Sequence, residues 1–214
     1  VGDAATVVDA TYNVGTGSTL SIGAADANTV HTIAATDTGA ISVTGATAAD
    51  SYDFSGVTAA SRANAVVRYT TGGALANTTN WGTAGQLTID VATGLVLTLT
   101  DAQASGQYIQ GEGAVDVVAL AADTDLSHIS VSGAKTADVT ANLTFTGHLG
   151  AFDVAVLAGA TLTVDGDIVN NLTVVGEGST ADAAGGSVVI NGLSTNGSVT
   201  YDFGAITAGG VVGA

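Results

Sequence analysis

The chain has 214 residues, with 19 acidic side chains against three basic ones (Arg62, Arg68 and Lys135) and a net charge of −16. That balance disfavours nucleic acid and anionic membrane surfaces as partners, because neither phosphate neutralisation nor a polybasic anchor is available. With no Cys, Met or Pro there is no disulfide framework, no thiolate nucleophile and no zinc thiolate site.

Hydrophobic residues make up 46% but aromatics only 5%, so the core is expected to consist of small and β-branched side chains, which suit thin layers of sheet. No basic, apolar leader pattern and no uninterrupted apolar stretch long enough to span a bilayer is present. The absence of Met at position 1 suggests an internal segment or a processed product.

In chain order, a short pattern recurs: apolar, any, apolar, any, Gly. It begins with "ISVTG" (Ile41 to Gly45) and "YDFSG" (Tyr52 to Gly56). Period-2 alternation puts the two apolar residues on one face of a strand, and the glycine lets the chain turn. "VTAASRANAVVRY" (Val57 to Tyr69) carries the one extended helical signal, with a loop between strands as the other reading. The Gly- and Asn-rich stretch Thr70 to Gly85 marks a soft boundary in what is otherwise expected to be one continuous all-β unit over residues 1–214.

Further on, "TLTDAQ" from Thr98 predicts a strand and one helical turn, and it leads to Gly-Glu-Gly at 111. "TLTVDG" from Thr161 leads to a second Gly-Glu-Gly at 176. The strand-and-glycine pattern meanwhile continues through "ISVSG", "LTFTG", "LTVDG", "LTVVG" and "VVING", spaced by 14, 19, 10 and 16 residues between Ile129 and Val188. "SYDFSGVTA" at Ser51 is echoed by "TYDFGAITA" at Thr200.

Short strands with Gly corners and small interiors predict an all-β fold, with a parallel β-helix-like β-solenoid favoured. A β-sandwich, which needs longer strands, is the alternative.

The two glutamates, Glu112 and Glu177, are the only ones in the chain. A glycosidase-like carboxylate pair is conceivable on paper, but a glycine-flanked Glu repeated after the same strand reads as a corner, and no catalytic residue is assigned. No Gly-x-Ser-x-Gly elbow accompanies His31, His128 or His148. Calcium is the expected cofactor: Asp123 with Asp125, and Asp165 with Asp167, form Asp-x-Asp pairs at turns, where hard oxygen donors could share a cation. Tyr52 with Phe54, and Tyr201 with Phe203, are candidate contacts between subunits, core filling being the other role for such pairs. Trp81 in its glycine-rich loop is a thin lectin signal, and the Asn-x-Ser/Thr matches at Asn77, Asn142, Asn171 and Asn196 read as incidental.

The segment "LTLTDAQASGQYIQGEGAVDVVALAADTDLSHISVSG" (Leu97 to Gly133) resembles the Thr-, Ala- and Asp-rich repeats of bacterial surface-layer proteins and of very large secreted adhesins, especially those exported without a cleaved signal peptide. It lacks the calcium nonapeptide of the repeats-in-toxin family; "AGGSVVING" (Ala184 to Gly192) has the glycines without the aspartate. The resemblance implies an extracellular structural protein of the cell surface, not an enzyme. Such a protein self-assembles with calcium into a layer or filament of its own copies, with cell-surface polysaccharide as a further partner and no membrane insertion. A stalk module of an adhesin is the alternative. A polysaccharide-acting extracellular enzyme, for which Arg68 and Lys135 would be the cationic candidates, is kept beside it.

Overall fold

A computed structural model describes residues 11–30, 32–176, 185–193 and 200–207. The chain divides into two compact units: residues 1–98, 107–114 and 129–133 form unit 1, and residues 99–106, 115–128 and 134–214 form unit 2.

Unit 1 contains two parallel sheets. Strands β1 (Thr11–Val14), β3 (Thr32–Ala35) and β5 (Val57–Ala59) make the smaller one. The larger runs β2 (Thr19–Gly23), β4 (Ala40–Thr47), β6 (Ala65–Thr71), β8 (Thr88–Val91), β10 (Tyr108–Gly111) and β12 (Ile129–Val131), each strand hydrogen-bonded to the next in that order. Register stacks like on like: Ile22, Val43, Val67, Ile89, Ile109 and Ile129 stand side by side across all six strands. Of these, all but Ile22 are buried. A β-branched side chain fits this pleated, half-buried surface, and each one buried contributes about 1.5–3 kcal/mol.

A further pair in unit 1 joins β7 (Gly73–Ala74) to the start of β9 (Val96–Thr100). In unit 2 the run β11 (Ala114–Val118), β13 (Lys135–Val139), β15 (Asp153–Val156), β17 (Val174–Gly176) and β19 (Ile206–Thr207) continues the same device, with Val117, Ala137, Val154, Val174 and Ile206 in one row. Strands β14 (Leu143–Phe145), β16 (Thr161–Asp165) and β18 (Ser187–Asn191) form the last sheet, with Leu143, Leu162 and Val188 aligned and Phe145, Val164 and Ile190 beside them.

Among the described residues three short helices sit at strand ends: α1 (Ala24–Thr29) after β2, α2 (Asp101–Ala104) after β9 and α3 (Gly166–Val169) after β16. Helix α2 begins with a reciprocal capping box between Thr100 and Gln103, and α3 with the Asp165 side chain accepting from the Asp167 N–H. These caps satisfy amide donors that the first helical turn leaves without partners.

The all-β fold class, in both its solenoid and its sandwich form, is corrected by these observations. Among the described residues strand accounts for 46% and helix for 9%, in four parallel sheets with helices between strands, an α/β-like arrangement. A sandwich fails because the registered pairs are parallel, a ladder that needs crossovers rather than hairpins. An all-β fold fails because "AADANT", "DAQA" and "GDIV" turn helical where the strand alternation stops. The expected helix over Val57 to Tyr69 is likewise replaced by β5, a single 3-10 turn at Arg62–Asn64 and β6. Val57, Ala65, Val67 and Tyr69 are buried on the strand parity rather than along a helical stripe.

Candidate functional site: three aspartate corners

Among the described residues one corner is built three times. In each copy a polar residue at the end of a short helix accepts the backbone N–H of an aspartate in the following layer of chain. That aspartate's carboxylate then accepts the N–H two residues further on. In the first copy the Asp53 N–H donates to Asn28 Oδ1 at 2.6 Å, and Asp53 Oδ1 accepts from the Ser55 N–H at 2.9 Å. In the second, the Asp125 N–H donates to Ser105 Oγ at 3.0 Å, and Asp125 Oδ1 accepts from the Ser127 N–H at 3.0 Å. In the third, the Asp202 N–H donates to Asn170 Oδ1 at 2.9 Å, and Asp202 Oδ1 accepts from the Gly204 N–H at 2.8 Å.

The helix-end residue is the last but one of α1 in the first copy and the residue just past α2 and α3 in the others. Gly106 and Asn171, which follow those two, donate their N–H groups to the Asp125 and Asp202 carbonyls at 2.8 and 3.2 Å. The corner thus supplies side-chain and main-chain partners to backbone groups that leave regular structure, which is what Asn, Asp and Ser do well.

Two of the corners extend one layer further. The Asn80 N–H donates to the Tyr52 carbonyl at 2.8 Å and the Phe54 N–H to the Asn80 carbonyl at 2.7 Å. His148 takes the corresponding place against Thr124 and Leu126, at 3.0 and 2.7 Å. The residues flanking the aspartates are the packing side of the same corner: Tyr52 and Phe54 stack at 5.1 Å between ring centroids, with Phe54 0% exposed. Tyr201 and Phe203, half-buried, stack at 5.5 Å.

Two of the carboxylates are electrostatically tuned by this construction. Hydrogen bonds from the Ser55 side chain and backbone hold Asp53 below the ordinary carboxylate range. Hydrogen bonds from Ser127 do the same for Asp125, with His128 and His148 adding to the effect. An ionised oxygen that accepts such bonds is favoured over its protonated form.

The candidate calcium pairs are divided among these roles. Asp125 is a corner residue, and Asp123 lies exposed two residues before it. Asp165 caps α3 by accepting from the Asp167 N–H at 3.0 Å, while Asp167 Oδ1 accepts from the Tyr201 hydroxyl at 2.9 Å. No group of three or more His, Asp or Glu side chains converges among the described residues. A cation at either pair would therefore draw further oxygens from carbonyls and water.

The serine, histidine and aspartate at the second corner do not form a relay. Ser127 Oγ lies 3.2 Å from His128 Nδ1, and Asp125 Oδ2 lies 3.9 Å from the same nitrogen. A relay needs its acid and its nucleophile on opposite ring nitrogens.

At the first Gly-Glu-Gly, Gly111 has φ +118°, and an added Cβ would meet Asp90 Oδ1 at 2.7 Å and the Val91 N at 2.8 Å. Glu112 is exposed, and its carboxylate accepts from the Thr93 hydroxyl. The glycines are there for close approach to the preceding layer, and the glutamate points outward at the turn. Glu177, like His31 and Asn196, lies outside the described residues. Trp81 is buried rather than displayed, with its indole N–H donating to the Tyr69 hydroxyl at 3.0 Å.

Two of the three corners are visible as the Tyr-Asp-Phe echo. The middle copy, "DTDLSHISV" from Asp123, escapes that comparison because Thr124 and Leu126 replace the two aromatic residues. The signal that finds it is Asp followed two residues later by a donor and four by a β-branched residue, after a helix ending in Asn or Ser. Comparison with protein families, with curated proteins and with solved structures found no match. No helix among the described residues is long and apolar enough to cross a membrane.

Proposed function

We propose that the chain is a secreted structural module of the bacterial cell surface, which self-associates into a layer or filament with calcium bridging its acidic corners. The observation that supports this reading most is the triplication of one corner. Its aspartates, asparagines and serines are engaged in joining successive layers of chain, and the same device recurs along the sequence, as expected of a structural element. Copies of charge −16 repel one another, and divalent cations held by the corner carboxylates relieve that repulsion where copies meet.

Light scattering and negative-stain microscopy with calcium and with excess chelator test the reading. Sheets or fibres that form with calcium and dissolve on chelation are expected, and assembly indifferent to chelator would remove the calcium part. The triplicated corner equally favours a second reading, a stalk module of a large adhesin. Single particles that stay monodisperse at high concentration with calcium would select it.

A further inference from the structure

Both arginines of the chain come to one face of the larger sheet of unit 1. Register sets Val66, Thr88 and Tyr108 side by side on β6, β8 and β10, and two residues along sets Arg68, Asp90 and Gln110 side by side, with Ser130 of β12 next in the row. These positions alternate with buried Val67, Ile89, Ile109 and Ile129, so they lie on the opposite side of the pleat, where Thr88 is buried and Arg68 exposed. Arg68 Nε lies 2.8 Å from Asp90 Oδ2, with the arginine side chain 55% exposed. Arg62 reaches across from the turn before β6: the Thr88 hydroxyl donates to its carbonyl at 3.1 Å, and its guanidinium lies 3.7 Å from the centroid of the Tyr108 ring. Stacking uses the flat face of a guanidinium and leaves the N–H fork at its rim, the geometry that takes a carboxylate bidentately.

Unit 2 carries a face of the opposite kind. Asp116, Thr136 and Asp153 are aligned across β11, β13 and β15. Asp138 follows two residues after Thr136, and all four alternate with buried Val117, Ala137, Val139 and Val154. Asp153 is exposed, and Asp116 Oδ1 accepts from the Thr136 hydroxyl at 2.7 Å. Lys135, the third cation, falls on the parity of buried Ala137 and Val139.

We propose that copies of this chain associate by setting the arginine face of unit 1 on one copy against the aspartate face of unit 2 on the next. This rests on the self-association reading and names its surfaces. Two molecules of charge −16 repel along most approaches, and complementary faces decide which approach is tolerated. Because the two faces are different surfaces of one molecule, the contact is heterologous, and it propagates into an open chain unless its rotation closes a ring.

Sedimentation velocity of the whole chain and two neutralised variants, R62A/R68A and D116N/D153N, tests the proposal, with circular dichroism showing that each variant folds. Each variant alone should need at least about tenfold higher concentration to assemble than the unaltered chain. Mixed in equal amounts they should form dimers and stop there, since one intact face remains on each partner. Either variant assembling like the unaltered chain, or a mixture without dimers, would overturn the proposal while leaving self-association standing. Failure of the unaltered chain to assemble under any condition would overturn both. A soluble polyuronate that bound the unaltered chain but not R62A/R68A, without competing with assembly, would reassign the arginine face to polysaccharide.

Discussion

The Asn170 side-chain oxygen accepts the backbone N–H of Asp202, 32 residues later in the chain, at 2.9 Å. The same relationship joins Asn28 to Asp53 and Ser105 to Asp125. A residue that ends a helix in one layer therefore fixes where the next layer begins. Removing the acceptor in Asn170→Ala should cost about 1 kcal/mol, the net worth of one such bond. In a chain of this size that lowers the midpoint of thermal unfolding by about 2–4 °C. Asn28→Ala and Ser105→Ala should give shifts of the same order in the same melts, and three unshifted midpoints would show that the corners hold nothing.

Asp53 and Asp125 have pKa values depressed by their serine partners. A depressed carboxylate contributes stability that is present above its unfolded value and lost as pH falls through the folded one. Urea unfolding should therefore show stability falling as pH drops below 3.8, the ordinary aspartate value. In D53N/D125N the amide oxygens can still accept the N–H bonds, but the charge is gone and the slope in that window should be shallower. Both groups are largely solvated, so the change is a modest one in slope.

The Gly-Glu-Gly corner separates packing from chemistry. Gly111→Ala places a methyl against Asp90 and Val91 at a φ that side chains rarely adopt, and should destabilise by about 2 kcal/mol or more. Glu112→Gln leaves an oxygen for Thr93 and should stay within about 0.5 kcal/mol of the unaltered chain. Denaturant titration of the two variants decides it, and a reversed order would mean that the carboxylate, not the glycine, is what the turn requires.

Trp81 is the single tryptophan and meets Tyr69 edge to face at 6.2 Å between ring centroids. Burial raises the Tyr69 pKa, while the Trp81 hydrogen bond opposes that rise. Tyr69→Phe leaves a buried indole N–H without its acceptor, at a cost of about 1–3 kcal/mol. Tryptophan fluorescence reports it directly, as unfolding at lower denaturant from a blue-shifted native emission.

Much of the strand content was legible because alternation survives in short pieces: Ile41 and Val43, Ile129 and Val131, and Leu162 and Val164 are buried as the pattern requires. The turn at Thr100 to Ala104 was legible as well, because a capping box is a local signal. Helix α1 was not, since Gly23 gives it no side-chain cap. The helix expected over Val57 to Tyr69 misled because its alanines suit either period, and strand pairing of Val67 with Val43 and Ile89 decided it. The site was half legible. Aspartates at turns could be seen, but their acceptors lie 20 to 32 residues away, a distance that only the layering of the chain supplies. The two opposed charged faces depend on register, which no local pattern fixes.

Sedimentation velocity of the unaltered chain over a range of concentrations, with calcium and then with excess chelator, tests the central claim of calcium-assisted self-association most directly. A weight-average mass that climbs with concentration in calcium and returns to the 20.5 kDa monomer on chelation is the expected result. A monomer at every concentration in both conditions would contradict it.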